Sequence, residues 1–184
     1  EDGGHHQRPF VSDCWMNLLF DIETDGLYKQ VTQIHCVAIK DLGTSEMHVF
    51  NDMGSQPPIS RAIAMLEEAE TIIAHNGINF DIPVIQKFYP WFTPPRCLDT
   101  LLLSRLYHPD IMIIDKRRNL EDMPLQLYGR HSLEAYGWRL GEHKGVFAKQ
   151  TDWKDWSQDM EDYMVQDVQV THKLWKHFHK YLNG

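Results

Sequence analysis

Asp21, Glu23, Asp81 and Asp167 sit in segments that otherwise read as buried, apolar structure: LLFDIETDGL, AHNGINFDIP and YMVQDVQVTHKL. An unpaired charge in such surroundings costs several kcal/mol unless something neutralises it. A divalent cation is the natural neutraliser, and several carboxylate oxygens favour a hard ion, Mg2+ or Mn2+. Asp21 and Glu23 are two residues apart at a strand end, so both side chains point to one face. Tyr163 and Asp167 are four apart on a helix and share a face as well. Asp81 stands where a loop enters a helix. These positions are distant along the chain, so only a fold brings the four acids together. Brought together, they suit a pair of metal ions roughly 3.5–4 Å apart, the arrangement that stabilises both attacking and leaving oxygens in phosphoryl transfer.

The elements that must position these groups can be read from hydrophobic period and turn chemistry. Leu18–Ile22 is a short apolar run and predicts a buried strand, ended by the Asp25-Gly26 turn. Residues 33–40 (QIHCVAIK) and 46–50 predict two strands of a hairpin across the turn at 41–45. Ile59, Ile63 and Leu66 have helical spacing, which predicts a helix over 59–68 after Pro57-Pro58, with Ser60 near its start. A strand is expected at 71–75, and a helix at 81–88 with Pro83 in its first turn, where a missing N–H costs little. Residues 96–99 predict a short strand and 100–107 a helix. The stretch 108–130, with Pro109, Pro124, Gly129 and the triplet Lys116-Arg117-Arg118, reads as an irregular, exposed excursion. Helices are expected at 132–140 and from about 156 to 181. Early strands followed by alternating strands and helices predict an α/β or α+β domain around a mixed central sheet.

Composition narrows the class. The chain has 184 residues, 42% hydrophobic and 24% charged, which suits a single core in one soluble globular domain. Its polar start, residues 1–16, reads as a loosely ordered tail ahead of a domain at 17–184. No apolar run approaches the roughly 18 residues of a membrane span, and no signal-peptide pattern is visible. Cys14, Cys36 and Cys97 are odd in number and far apart, so they read as reduced thiols of an intracellular, cytoplasmic protein. A net charge of −8 argues against gripping nucleic acid by electrostatics alone. It leaves room for an acidic site that recruits cations before it meets phosphate.

The segments DIET, HNGINFD and YMVQD, in this order, resemble the three motifs of the DEDD exonuclease superfamily, and Tyr163 four before Asp167 resembles its tyrosine subclass. With DTLLLSRLYHP (99–109) and HSLEAYGWRLGEHKG (131–145), the likeness covers about residues 18–180. It is strongest to the proofreading domains of family A DNA polymerases from short-tailed bacteriophages. That resemblance implies an α/β, RNase H-like (DnaQ-like exonuclease) fold with a mixed five-stranded sheet flanked by helices. It also implies two divalent cations, Mg2+ or Mn2+, and removal of nucleotides from a single-stranded or frayed DNA 3′ end, in the host cytoplasm for a phage-encoded protein. By position, Asp21, Glu23, Asp81 and Asp167 match the metal carboxylates, with Asp21 the bridging ligand. Tyr163 matches the residue that orients the attacking water. Thr24, Leu27, Asn76 and Phe80 match substrate-contacting positions, Leu27 as a wedge against the last bases. Asn76 and Asp81 are five positions apart, against four in the cellular family A motif. The longer form is also seen in phage-type and family B sequences.

Other readings stand beside this one. A polymerase would continue well past Gly184, so an excised domain with its polymerase in cis, or a freestanding nuclease acting in trans, both stay open. An exoribonuclease of the same fold would share every acid, and a polymerase appendage with a vestigial site would keep the fold. The 11 histidines raise zinc, but His172, His177 and His179 alternate with Lys173, Lys176 and Lys180 and read as a solvated helix face. His75 and His131 read as core or hydrogen-bonding residues. The triplet Lys116–Arg118 reads as a solvated loop, with a DNA backbone contact as the alternative. Trp153 and Trp156 read as packing residues, with stacking on a single strand as the alternative.

Overall fold

The structure is a computed structural model that describes residues 16–142 and 152–182. The expected tail, Cys14 and the end of the 131–145 stretch fall outside the described residues, apart from Met16. Five strands form one mixed sheet: β1 (Asn17–Thr24), β2 (Ile34–Asp41), β3 (Met47–Asn51), β4 (Thr71–Ala74) and β5 (Arg96–Asp99), in the order β3-β2-β1-β4-β5. β1–β2–β3 run antiparallel, while β4 and β5 join β1 in parallel. Among the described residues six α-helices accompany them: α1 (Ile59–Glu68), α2 (Asp81–Phe88), α3 (Thr100–Tyr107), α4 (Ile111–Arg118), α5 (Leu133–Leu140) and α6 (Gln158–Leu182).

The alternation of β1 decides which residues meet which layer. Leu18, Phe20 and Ile22 fall on one face and pack with Ile59, Ile63 and Leu66 of α1 and Val84 and Ile85 of α2. Leu19 falls on the other face with Cys36, Ala38 and Ile73, against Met164 and Val168 of α6. Asp21 and Glu23 continue the Leu19 parity, so the same two-residue period that buries the core aims both acids at α6. Each buried aliphatic side chain contributes roughly 1.5–3 kcal/mol, which locks this register. A one-residue slip would send the acids to the opposite face.

Helix ends follow local chemistry. α1 follows Pro58 and is capped from a distance, its Ile59 N–H donating to Asp52 Oδ1 at 3.0 Å. Ser132 caps α5 through the Ala135 N–H, and Gly141 closes it in the left-handed conformation. The expected excursion at 108–130 is instead ordered by α4 and a 3-10 turn at Leu125–Leu127. Lys116, Arg117 and Arg118 fill the last turn of α4, where cations complement the helix dipole, and Asn119 closes it with φ +41°. An ion pair fixes this corner: Arg139 Nε and Nη2 reach Asp115 Oδ1 and Oδ2 at 2.8 and 2.7 Å, and both side chains are buried. His172 and His177 also depart from the solvated-face reading. Both are half-buried, and His177 Nε2 lies 2.7 Å from His108 Nε2. Among the described residues no helix is long and apolar enough to cross a membrane.

Candidate active site

The site lies where β1 outruns β4. Their parallel pairing stops at Leu19–Ile73, and β4 ends at Ala74. Beyond that point the chain at 75–80 turns back and enters α2. Ile22 N–H, which has lost a strand partner on that side, donates to Asp81 Oδ1 at 3.3 Å. On the β2 side the register shifts between Glu23 and Thr24, an irregularity of the kind that re-aims side chains at functional sites. The carboxyl ends of parallel strands thus open into a cleft of about 460 Å³.

Asp21, Glu23 and Asp167 each offer a carboxylate oxygen within 4.8 Å of the other two, all half-buried. Asp81 lines the same cleft but stands outside that trio, only 3% exposed. Burial drives its pKa well above the usual carboxylate range, nearby Asp99 adds to the rise, and the Ile22 N–H offsets part of it. A buried acid penalised for ionising, beside three converging hard oxygens, is the donor set a divalent cation fits. Thr24, Leu27, Asn76, Phe80 and Tyr163 line the cleft as well. The cleft is therefore lined by all nine residues that the resemblance matches to metal, water and substrate positions, with Asp81 one step back from the other acids.

Each neighbour is held by its own element. The Thr24 hydroxyl donates to the Gly26 carbonyl at 2.9 Å, and Gln30 and Val31 N–H close a turn on the Leu27 carbonyl. Lys87 of α2 donates to the Val31 carbonyl at 2.8 Å and ties that turn down. Leu27 itself is 74% exposed at the cleft's rim. Tyr163 sits edge-on to the Trp153 ring, with centroids 5.5 Å apart. Burial raises the Tyr163 pKa, and the negative charge of Asp167, Glu23 and Asp21 raises it further, so the phenol stays protonated. Burial first, then the charges of Glu23, Glu161 and Asp21, keep the Cys36 thiol protonated beneath the acids.

Three residues at or beside the cleft were not among the site residues expected from the sequence. Trp153 reads as packing, yet it walls the cleft, and its carbonyl accepts from His35 Nε2 at 3.0 Å. His75 lines the cleft between two partners. Its Nε2–H donates to the His131 carbonyl at 2.9 Å, so its Nδ1 accepts from the Thr100 hydroxyl at 2.8 Å. Asp99 enters the sequence reading only as the last residue of the 96–99 strand and the first of the 99–109 stretch. A larger groove, about 640 Å³, lies between β3 and α1 and holds none of the four acids.

Comparison with known proteins agrees with this fold. The RNase H superfamily profile matches residues 18–179. DNA-directed DNA polymerases of Enterobacteria phage T3 and Escherichia phage T7 are each 32% identical over 180 residues. The alignment takes in 85% of this chain but only 26% of those polymerases, so the chain spans about a quarter of their length. Among solved structures, Brucella melitensis NrnC superimposes with a TM-score of 0.61 at 22% identity, over 91% of this chain and 73% of that one. Escherichia coli RNase D, an exoribonuclease involved in structured RNA processing, does so with 0.54 at 16% identity, over 89% and 40%. The likeness to the structures is one of fold. The superfamily match, the mixed five-stranded sheet and the identity to the phage polymerases together establish that this chain belongs to the RNase H superfamily, in its DEDD 3′–5′ exonuclease branch.

Proposed function

We propose that this chain is a metal-dependent 3′–5′ exodeoxyribonuclease that releases nucleoside monophosphates from single-stranded or frayed DNA ends, as the proofreading activity of a DNA polymerase joined in cis or acting in trans. The observation that carries the reading is the convergence of Asp21, Glu23 and Asp167 within 4.8 Å in a cleft shared with Asp81 and Tyr163. Asp21, Glu23 and Asp167, with Asp81 behind them, would hold two ions, Mg2+ or Mn2+, which supply charge for the phosphoryl oxygens and acidify an attacking water. Tyr163, kept neutral, donates a hydrogen bond that orients that water. Leu27, exposed at the rim, would wedge against the terminal bases, and Thr24, Asn76 and Phe80 would contact the end nucleotide. A mispaired terminus frays more readily and so reaches the cleft more often. The identity to phage polymerases supports DNA as substrate and a polymerase as partner, and a phage origin would set the reaction in the cytoplasm of the host cell.

Fold likeness to RNase D supports a second reading, an exoribonuclease with the same acids. Digestion of matched 5′-labelled DNA and RNA strands with Mg2+, Mn2+ or EDTA separates the two. We expect stepwise shortening of DNA from the 3′ end, abolished by EDTA, and far slower loss of RNA. Asp21→Ala and Asp167→Ala should remove nearly all of it while circular dichroism stays native. Wild-type digestion by either variant would defeat the proposal, and preference for RNA would replace it with the second.

A further inference from the structure

Asp99 is a fifth acid beside the cleft, 3% exposed, at the junction of β5 and α3. It caps α3, accepting from the Leu101 N–H at 2.9 Å. The same carboxylate reaches across to the turn before α2, where Oδ1 accepts from the Asn76 N–H at 2.9 Å and Oδ2 from the Ile78 N–H at 3.2 Å. Both oxygens are thus engaged by backbone donors, and Asp99 is no member of the converging trio.

The turn it grips is narrowly determined. Asn76 takes φ +67°, a left-handed conformation that few residues other than glycine and asparagine adopt readily. Gly77 has no room for a side chain, because a Cβ there would lie 2.6 Å from the Ala74 Cβ. The Asn76 carbonyl accepts from Phe80 N–H at 3.0 Å and the Gly77 carbonyl from Ile82 N–H at 2.9 Å. Thr100, the next residue after Asp99, holds His75 from the other side. This turn delivers Asn76 and Asp81 to the cleft.

We propose that Asp99 is a positioning residue of the exonuclease centre: by holding the Asn76 and Ile78 N–H groups it fixes where Asp81 and Asn76 stand relative to Asp21, Glu23 and Asp167. This rests on the exonuclease reading. A carboxylate is required because two acceptor oxygens face two sets of N–H donors. Asparagine keeps one acceptor and turns an N–H2 towards a donor. Serine can still cap α3 but is too short to reach the turn.

The test compares Asp99→Ser and Asp99→Asn with Asp41→Ala, which removes equivalent turn bonds to the Gly43 and Thr44 N–H groups in the distant β2–β3 hairpin. Three quantities are read on the whole chain: amide hydrogen exchange without metal, Mn2+ affinity by calorimetry, and kcat and KM on a single-stranded DNA oligomer. Asp99→Ser should expose residues 76–80 to exchange about ten-fold faster with α3 still protected. It should also weaken Mn2+ binding about ten-fold and lower kcat about 100-fold with KM little changed. Asp99→Asn should fall between it and wild type, and Asp41→Ala should change none of the three. Native exchange and Mn2+ binding in both Asp99 variants would overturn the assignment, as would equal losses in Asp41→Ala. A wild-type protein that binds Mn2+ but releases no nucleotide would sink the exonuclease reading alone, and the exchange and calorimetry would still decide the role of Asp99.

Discussion

The protonation state of Tyr163 limits what it can do. Its phenol is buried beside Asp167, Glu23 and Asp21; burial favours the neutral form, and in the metal-free site those charges favour it further. Because the pKa is raised, the neutral phenol persists to higher pH than an exposed tyrosine would allow. A general base at this position is therefore the wrong role, since a base must be deprotonated at working pH. A neutral phenol can donate a hydrogen bond, and the edge-on Trp153 ring fixes its direction. Tyr163→Phe keeps the ring contact and loses only the donor. Single-turnover cleavage should fall about 100-fold, the cost of misplacing one reacting group, with substrate affinity nearly unchanged. The pH–rate profiles of wild type and Tyr163→Phe should run parallel up to about pH 9, because no tyrosine proton leaves in that range. A wild-type rate that climbs with pH while the variant's stays flat would show a working phenolate and refute this assignment.

The corner formed by α4 and α5 shows how elements gain definition from one another. Burial on its own would raise the Asp115 pKa, but hydrogen bonds from Arg139 and the Gly129 N–H outweigh it and hold the pKa below the usual carboxylate range. Removing one partner leaves the other charged and buried, so Arg139→Met or Asp115→Leu should each cost about 3–5 kcal/mol. The double variant should recover most of that. It should remain about 1–3 kcal/mol below wild type, because the Gly129 N–H, which donates to Asp115 Oδ2 at 2.8 Å, loses its acceptor. Urea denaturation of the four proteins measures this, and simple additivity of the two losses would refute the coupling. The same pair explains why α4 was hidden in the sequence. Its buried positions are Ile111 and Asp115, so the inward stripe carries an acid where a periodic reading seeks an aliphatic residue, and the partner stands 24 residues away. By contrast, α1, α2 and α3 have the bounds that spacing and flanking residues predict, because their signals are local. The site divides in the same way. Asp21 and Glu23 announce themselves by acidity on an apolar strand. Asp99 meets the Asn76 and Ile78 N–H groups, and His75 meets the Thr100 hydroxyl and the His131 carbonyl, partners that the sequence does not display.

For the whole molecule, acid stability depends on how many protons the folded chain refuses. Burial lowers the pKa of His75, His108, His131, His172 and His177. His75 and His172 fall from 6.5 to about 4. Between those values the unfolded chain binds protons that the folded chain does not, so stability drops as pH falls through that window. Asp81 works in the opposite sense. Its raised pKa lets the folded chain keep a proton that the unfolded chain releases, which favours the fold as pH drops. Five histidines oppose one carboxyl, so in EDTA the melting temperature should fall from pH 7 to pH 5. For His75 alone the loss by pH 5 is on the order of 2 kcal/mol, worth about 4–8 °C in a chain of this size. His75→Gln removes that titration without adding charge. It should melt lower than wild type at pH 7, where the bonds to Thr100 and the His131 carbonyl are altered, yet lose less between pH 7 and pH 5. Melting curves of the two proteins that stay parallel across this range would mean that His75 takes up its proton as easily in the fold as out of it, and that the polar chain from the cleft to α5 is open to water.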